Sequence, residues 1–242
     1  MKKTVFDKAK KEAIDIMSHV YDPLHDHYHV MAVRREALRL TKLLGVEKAV
    51  NSEALELACL WHDTSRRVIR QHAYISPFCD GIISARIAKK ELKKLGVDAE
   101  TIDLIAKIIT RNETYLGLFP RKHFLESSIF SDADALQSFS TERFRNFLSY
   151  VEVGRFSKRV FAMYLLGFLF LLERNVVKFN HAETIEIMHE EYIPELKAYF
   201  EKNFDRIAKL TLWPIQKLVY HKIIKRFPES ISVSYTPYFI SR

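Results

Sequence analysis

The sequence predicts an all-α fold with almost no β-sheet. Along most of the 242 residues, apolar side chains recur three or four positions apart, which is the spacing of one helix face. The chain holds only 6 Gly and 7 Pro, too few for the many turns of an all-β sandwich. Its 48% of hydrophobic residues is ordinary for a folded protein and excludes a mainly disordered chain.

The first predicted helices lead to a pair of polar residues. A helix over 4–20 ends at Tyr21-Asp22-Pro23, and a second over 27–44 ends at Gly45. Ser52 opens a third helix, which runs through an apolar stretch into His62-Asp63.

The rest of the chain continues the helical pattern. Residues 64–78 are predicted to form a loop. Further helical segments are expected at 81–95, 98–110, 120–134, 141–153, 155–174, 182–200 and 204–225, the last with a break near Pro214. Residues 231–240 alternate loosely, which predicts a short strand or an extended tail.

We expect one main domain, residues 1–202, and a basic C-terminal appendage, residues 203–242, docked on it. The appendage holds seven Lys or Arg against two acidic residues, and so +5 of the net charge of +8. This excess makes nucleic acid a candidate partner, although a solvated helix face explains the same charge and is favoured.

Targeting and membrane signals are missing from the sequence pattern. The longest apolar run, Val160–Leu172, is shorter than the roughly 20 residues that span a bilayer. The N-terminal segment has scattered charges and no apolar core of a signal peptide. Two cysteines, Cys59 and Cys79, suit a reducing compartment. We therefore expect a cytoplasmic protein without a membrane partner, and the oligomeric state is left open.

Two polar stretches stand at predicted helix ends. His25-Asp26-His27-Tyr28-His29 begins the second helix, and His62-Asp63 ends the apolar third. A charged pair after an apolar run is costly to bury unless it has a partner, and a divalent cation is an efficient one. Asp132 and Asp134, about seventy residues downstream, offer a further carboxylate.

Three segments together resemble the HD-domain superfamily of metal-dependent phosphohydrolases, above all its small stand-alone helical members. They are HDHYHVMAV (25–33), ACLWHDTSR (58–66) and SDADALQSF (131–139). The resemblance covers roughly residues 10–200, mostly in helix order alone. It implies a helical bundle of the HD-domain type that hydrolyses a phosphate ester or anhydride of a nucleotide-like small molecule.

The resemblance also implies a metal centre. The expected ligands of one divalent ion are His29, His62, Asp63 and Asp134. In the family the last Asp commonly follows Ala and precedes x-Leu, which selects Asp134 and leaves Asp132 as the fallback, since residues two apart on a helix point to opposite sides. Nitrogen and carboxylate donors suit Mn, Fe, Co, Ni or Mg, whereas Zn suits the set less well.

Departures from the family pattern qualify these expectations. Positions where some members of the family hold a second metal with His carry Asp80 and Asn112 here, which favours a single ion and leaves Asp80 as an alternative ligand. Many relatives place an acid or base three residues after the paired Asp, where this chain has Arg66. Arg stays protonated and cannot act as a base, but it can clamp a phosphate.

The catalytic roles are therefore assigned to Asp63, Arg66 and His25. Phosphate binding is expected from Arg66, Arg67 and His72, with Arg70 as a further cation. The candidates for the proton acceptor are His25, Asp26 and His72. The alternative function is a nucleotide- or nucleic-acid-binding regulatory protein of the same fold with little or no turnover.

Overall fold

A computed structural model describes residues 1–22, 24–68, 76–112, 123–173, 178–211, 213–225 and 234–235. Side chains are described in these ranges except at 76–79, 169–173, 213, 222–224 and 234–235. The described chain is mostly helical, which confirms the predicted all-α class. It divides into two compact units, one reaching to Gln137 and the other beginning at Ser138.

The described residues of the first unit form six α-helices and one short 3₁₀ helix, Thr64–Arg67. The α-helices are α1 (Lys3–Ser18), α2 (His27–Leu43), α3 (Ser52–Trp61), α4 (Ser76–Lys94), α5 (Ala99–Arg111) and α6 (Leu125–Gln137).

In the second unit, the part of the chain that the structure describes forms six further α-helices, two π-helical segments and a pair of short strands. The α-helices are α7 (Thr141–Glu152), α8 (Lys158–Glu173), α9 (Ala182–Ile187), α10 (Ile193–Lys202), α11 (Phe204–Leu210) and α12 (Trp213–Leu218). The π-helical segments are Met188–Tyr192, after α9, and Val219–Lys225, after α12. The strands, β1 (Lys178–Phe179) and β2 (Ser234–Tyr235), pair in parallel, so a short strand within 231–240 is confirmed.

Helix α3 lies at the centre of the first unit. Its residues Ala54, Leu55 and Leu57–Trp61 are all fully buried, and α3 packs against α1, α2, α4, α5 and α6. The last part of the helix, Leu57–Trp61, is buried on every side and has no polar face, which explains the uninterrupted apolar run there. The residues that follow the end of α3, His62 and Asp63, therefore lie in the interior of this unit.

Local capping fixes where the helices begin and end. The Asp26 carboxylate accepts a hydrogen bond from the His29 amide (3.0 Å) and caps α2, and Asp98 caps α5 through the Thr101 amide. Gly45 and Gly96, which follow α2 and α4, adopt positive φ values of 65° and 81°. These glycines therefore end both helices at the positions that the sequence predicts.

The aromatic residues of the second unit form its core. The Phe144 ring lies 4.8 Å from Phe168 and 5.1 Å from Phe200, and Phe147 lies 5.4 Å from Phe161. These contacts join α7, α8 and α10. Edge-to-face packing of this kind stabilises a core beyond the area that it buries.

The loop predicted over residues 64–78 is wrong at both ends. Residues Thr64–Arg67 form a 3₁₀ helix, and α4 already begins at Ser76. Pro77 in the first turn of α4 explains the earlier start, since the fixed φ of proline suits that position and the missing N–H is not needed there.

The division of the chain also differs from the expected pattern. The boundary predicted between residues 202 and 203 falls inside the second unit, where α11 follows α10 almost directly. A break near Pro214 is present, but it lies between α11 and α12, and Pro214 stands in the first turn of the new helix.

Among the described helices, none combines the length and the apolar character needed to cross a bilayer.

Candidate metal centre

Three helices of the first unit bring the predicted ligands together. His29 lies in the first turn of α2, His62 and Asp63 follow the end of α3, and Asp134 lies on α6. Helix α2 packs against both α3 and α6, so the three segments meet on the inner side of the unit. Phe130, one turn before Asp134, places its ring 5.2 Å from His62 and fixes the same face of α6 toward the imidazole.

The four side chains form a ring of alternating nitrogen and oxygen atoms. Asp63 Oδ2 lies 3.5 Å from His29 Nε2 and 3.1 Å from His62 Nε2. Asp134 Oδ1 lies 3.2 Å from the first of these nitrogens and 3.8 Å from the second. Donor atoms of His29, His62 and Asp134 all fall within 4.8 Å of one another.

These separations fit a divalent ion. At metal–ligand distances of about 2.1 Å, neighbouring ligands of an octahedral ion lie about 3 Å apart. Asp63 Oδ2 is buried, and the Nε2 atoms of two imidazoles lie within 3.5 Å of it. A buried carboxylate is costly without a positively charged partner, and a divalent cation among these four donors would supply that charge in place of the imidazole protons.

The tautomer of His62 is set by the backbone. His62 Nδ1 lies 2.7 Å from the Cys59 carbonyl oxygen, which can only accept, so Nδ1 carries a proton. This leaves Nε2, the nitrogen that faces both carboxylates, as the one that can bind a metal. Metal-binding histidines are commonly oriented by such a hydrogen bond from the second nitrogen.

The charges of the buried groups stabilise one another. Burial alone would lower the pKa of His62, but attraction to Asp63 and Asp134 outweighs it and raises that pKa to about 9. Burial alone would raise the pKa of both carboxyls. Attraction to His62 holds the pKa of Asp63 well below its usual range, and the hydrogen bond from His29 does the same for Asp134.

The structure places Asp134, and not Asp132, at the centre. Asp132 is fully buried elsewhere on α6 and is not part of the ring of donor atoms. Asn112 donates from Nδ2 to Asp134 Oδ2 (2.7 Å), which leaves Oδ1 turned toward the two imidazoles. Asn112, which was expected only to mark the lack of a second-metal histidine, therefore orients the Asp134 carboxylate.

A chain of charged groups continues from the ring. His25 Nδ1 lies 2.8 Å from Asp22 Oδ2, and the His25 ring meets that of His29 edge to face at 6.0 Å. Arg66 Nη2 pairs with Asp80 Oδ2 at 2.5 Å, and its Nη1 lies 4.0 Å from Asp22 Oδ2. Asp80 is thus placed as the partner of Arg66.

The remaining predicted residues are placed less centrally. Arg67 is exposed on the 3₁₀ helix, and the Asp26 carboxylate is the cap of α2. His72 and Arg70 lie outside the described residues. Of the three candidates for the proton acceptor, only His25 is therefore seen beside the metal ligands with a hydrogen bond that orients its ring.

Sequence reasoning missed the role of Asp22. The segment Tyr21-Asp22-Pro23 predicts only the end of a helix, yet the Asp22 carboxylate is buried and contacts both His25 and Arg66. Its position three residues before His25 was the available signal, because an Asp often accepts hydrogen bonds from residues two or three positions later.

Comparison with known proteins adds no relative. No protein family, curated protein or solved structure matches the chain. The functional assignment therefore rests on the residues and geometry of the site.

Proposed function

We propose that the protein is a metal-dependent phosphohydrolase of the HD-domain type that acts on a phosphate ester or anhydride of a nucleotide-like small molecule. The observation that carries this proposal is the ring of His29, Asp63, His62 and Asp134, with neighbouring donor atoms 3.1–3.8 Å apart. A divalent ion held there would act as a Lewis acid toward the phosphoryl group and offset its charge.

The neighbouring residues supply a proton acceptor. Because the Asp22 carboxylate can only accept from His25 Nδ1, neutral His25 has its basic lone pair on Nε2. His25 also lies beside a proposed ligand, since its ring meets that of His29 edge to face at 6.0 Å. In the proposed reaction, His25 takes the proton of the attacking water and Asp22 stabilises the resulting imidazolium.

Arg66 is the proposed contact for the phosphoryl oxygens. Its guanidinium is held by Asp80 and by the more distant Asp22, which fixes its position before substrate arrives. A planar guanidinium presents several donors at once, so contact with these carboxylates is compatible with a further contact to phosphate. The next residue, Arg67, is exposed and is the second candidate for contact with the phosphoryl oxygens.

The experiment combines metal content with hydrolysis. The protein is purified without chelator, its metal content is measured by elemental analysis, and nucleotides and phosphate monoesters are screened with Mn, Co, Ni and Mg. His62→Ala and Asp63→Ala are expected to lose the ion and the hydrolysis together, whereas His19→Ala, an exposed histidine of the same unit, retains both. Multiple turnover that persists in both site variants would refute the proposal.

A second candidate function is binding of a phosphorylated ligand without turnover. The pairing of Arg66 with Asp80 favours it, because the position that carries an acid or base in many relatives holds a fixed cation here. Nucleotide that binds tightly and is recovered intact after hours of incubation would select this function over hydrolysis.

A further inference from the structure

The second unit exposes apolar side chains around the start of α8. Val153, just after α7, is 69% exposed, and Met163, in the second turn of α8, is 67% exposed. Val160 is 38% exposed and lies three residues before Met163, on the same face of the helix. Helix α8 thus has a core-facing side and an uncovered apolar side.

Basic residues lie on the same segments as these apolar side chains, and Arg159 stands four residues before Met163, on the same face of α8. Lys158 donates from Nζ to the Lys209 carbonyl oxygen (3.1 Å), which joins the start of α8 to the end of α11. Arg206, on α11, pairs with Glu152, the neighbour of Val153. We name the resulting patch the α7–α8–α11 surface, and its exposed members are Val153, Arg155, Lys158, Arg159, Val160, Met163 and Lys209.

The charged members of this surface are all positive. Four of its seven members are Lys or Arg, and all four are exposed. The acidic residues beside it are Glu152, which is paired with Arg206, and Asp205. A surface of this composition attracts negatively charged partners.

The apolar residues of this surface indicate whether its partner is nucleic acid, a second copy of the chain or an anionic bilayer. Nucleic-acid bases stack on aromatic rings, whereas the exposed apolar residues of this surface are Val and Met. A second copy of the chain in a symmetric dimer would bring the same basic residues against one another. Aliphatic side chains beside Lys and Arg are the combination that inserts at the headgroup level of an anionic bilayer.

We propose that the α7–α8–α11 surface binds the anionic surface of a lipid bilayer. The sequence predicts no membrane partner because it contains no spanning segment, but peripheral binding needs only an exposed patch of this kind. This inference does not depend on the metal centre, which lies in the first unit.

The test is cosedimentation of the full chain with vesicles. Vesicles of phosphatidylcholine alone are compared with vesicles that contain roughly one third phosphatidylserine. Arg159→Glu with Lys209→Glu is expected to weaken binding more than about twentyfold, since each basic residue near the surface contributes about fivefold and reversal adds repulsion. Met163→Asp is expected to weaken binding as well, because it removes an inserting apolar group.

Matched variants in the first unit serve as controls. Lys90→Glu with Lys93→Glu makes the same charge change at exposed positions of α4, and Leu43→Asp alters a side chain that is 54% exposed. These controls should bind as the unaltered protein does, and circular dichroism should show the same helicity for all variants.

Three outcomes would overturn the proposal. One is no binding to phosphatidylserine vesicles, and another is equal loss in the control variants. The third is displacement of the protein from vesicles by single-stranded DNA together with tighter binding to that DNA, which would assign the surface to nucleic acid.

Discussion

Asp134 faces the two imidazoles, while its near neighbour Asp132 does not. We therefore expect Asp134→Asn to lower the affinity for Mn²⁺ by more than about a hundredfold, because it removes a charged ligand. Asp132→Asn should leave the affinity within a few-fold of the unaltered protein. Isothermal titration calorimetry of both variants checks this, and the reverse order of affinities would identify Asp132 as the ligand.

Proton release should accompany metal binding at neutral pH. The pKa of His62 is about 9 in the metal-free protein, so His62 carries a proton at pH 7 that a metal must displace. The apparent affinity for Mn²⁺ should then rise about tenfold per pH unit from this residue and level off as the pH passes about 9. Calorimetry in buffers of different ionisation enthalpy counts the released protons. A count near zero at pH 7 would show that metal binding does not displace a proton from His62.

Asp22 is expected to act through His25. Asp22→Asn removes the negative charge that faces the His25 Nδ1 proton, so an imidazolium formed at His25 loses its stabilising partner. We expect kcat to fall about tenfold to a hundredfold while the metal content stays unchanged. Steady-state kinetics with elemental analysis separates this result from simple unfolding, which would lower the metal content too.

Among the helices, α2 has the closest link between local structure and the metal centre. Its cap, Asp26, accepts from the amide of His29, which is itself a proposed ligand. Asp26→Ala should lower the free energy of unfolding by about 1 kcal/mol and also weaken Mn²⁺ binding, since the first turn then frays.

The matched control for this prediction is Asp98, the cap of α5, which bonds the Thr101 amide and is exposed. Asp98→Ala should cost similar stability in urea denaturation without a change in Mn²⁺ affinity. Equal metal affinity in the two cap variants would show that the α2 cap does not position His29.

Most helices could be predicted because their signals are local. The end of α2 at Gly45 and the start of α5 at Asp98 follow from single residues with defined backbone preferences. The π-helical segment Met188–Tyr192 was not predicted, since one inserted residue in a helical turn leaves the apolar spacing almost unchanged.

The two compact units could not be predicted, because the connection near Gln137 and Ser138 has no run of Gly, Pro or charge. The segments that carry the four proposed ligands could be predicted, since each stands at a helix end or on an apolar helical face, and the resemblance to the HD-domain superfamily selected the residues within them. The network around them could not, because the contacts of Arg66 with Asp22 and Asp80 join residues from separate segments. Sequence periodicity carries no information about such ion pairs.

The most direct test of the metal centre is a crystal structure of the protein soaked in Mn²⁺, with anomalous diffraction data. We expect one anomalous peak per chain in the first unit, within about 2.3 Å of donor atoms of His29, His62, Asp63 and Asp134. A map without a peak between these side chains, or with its peak on other residues, would show that they do not form a metal centre.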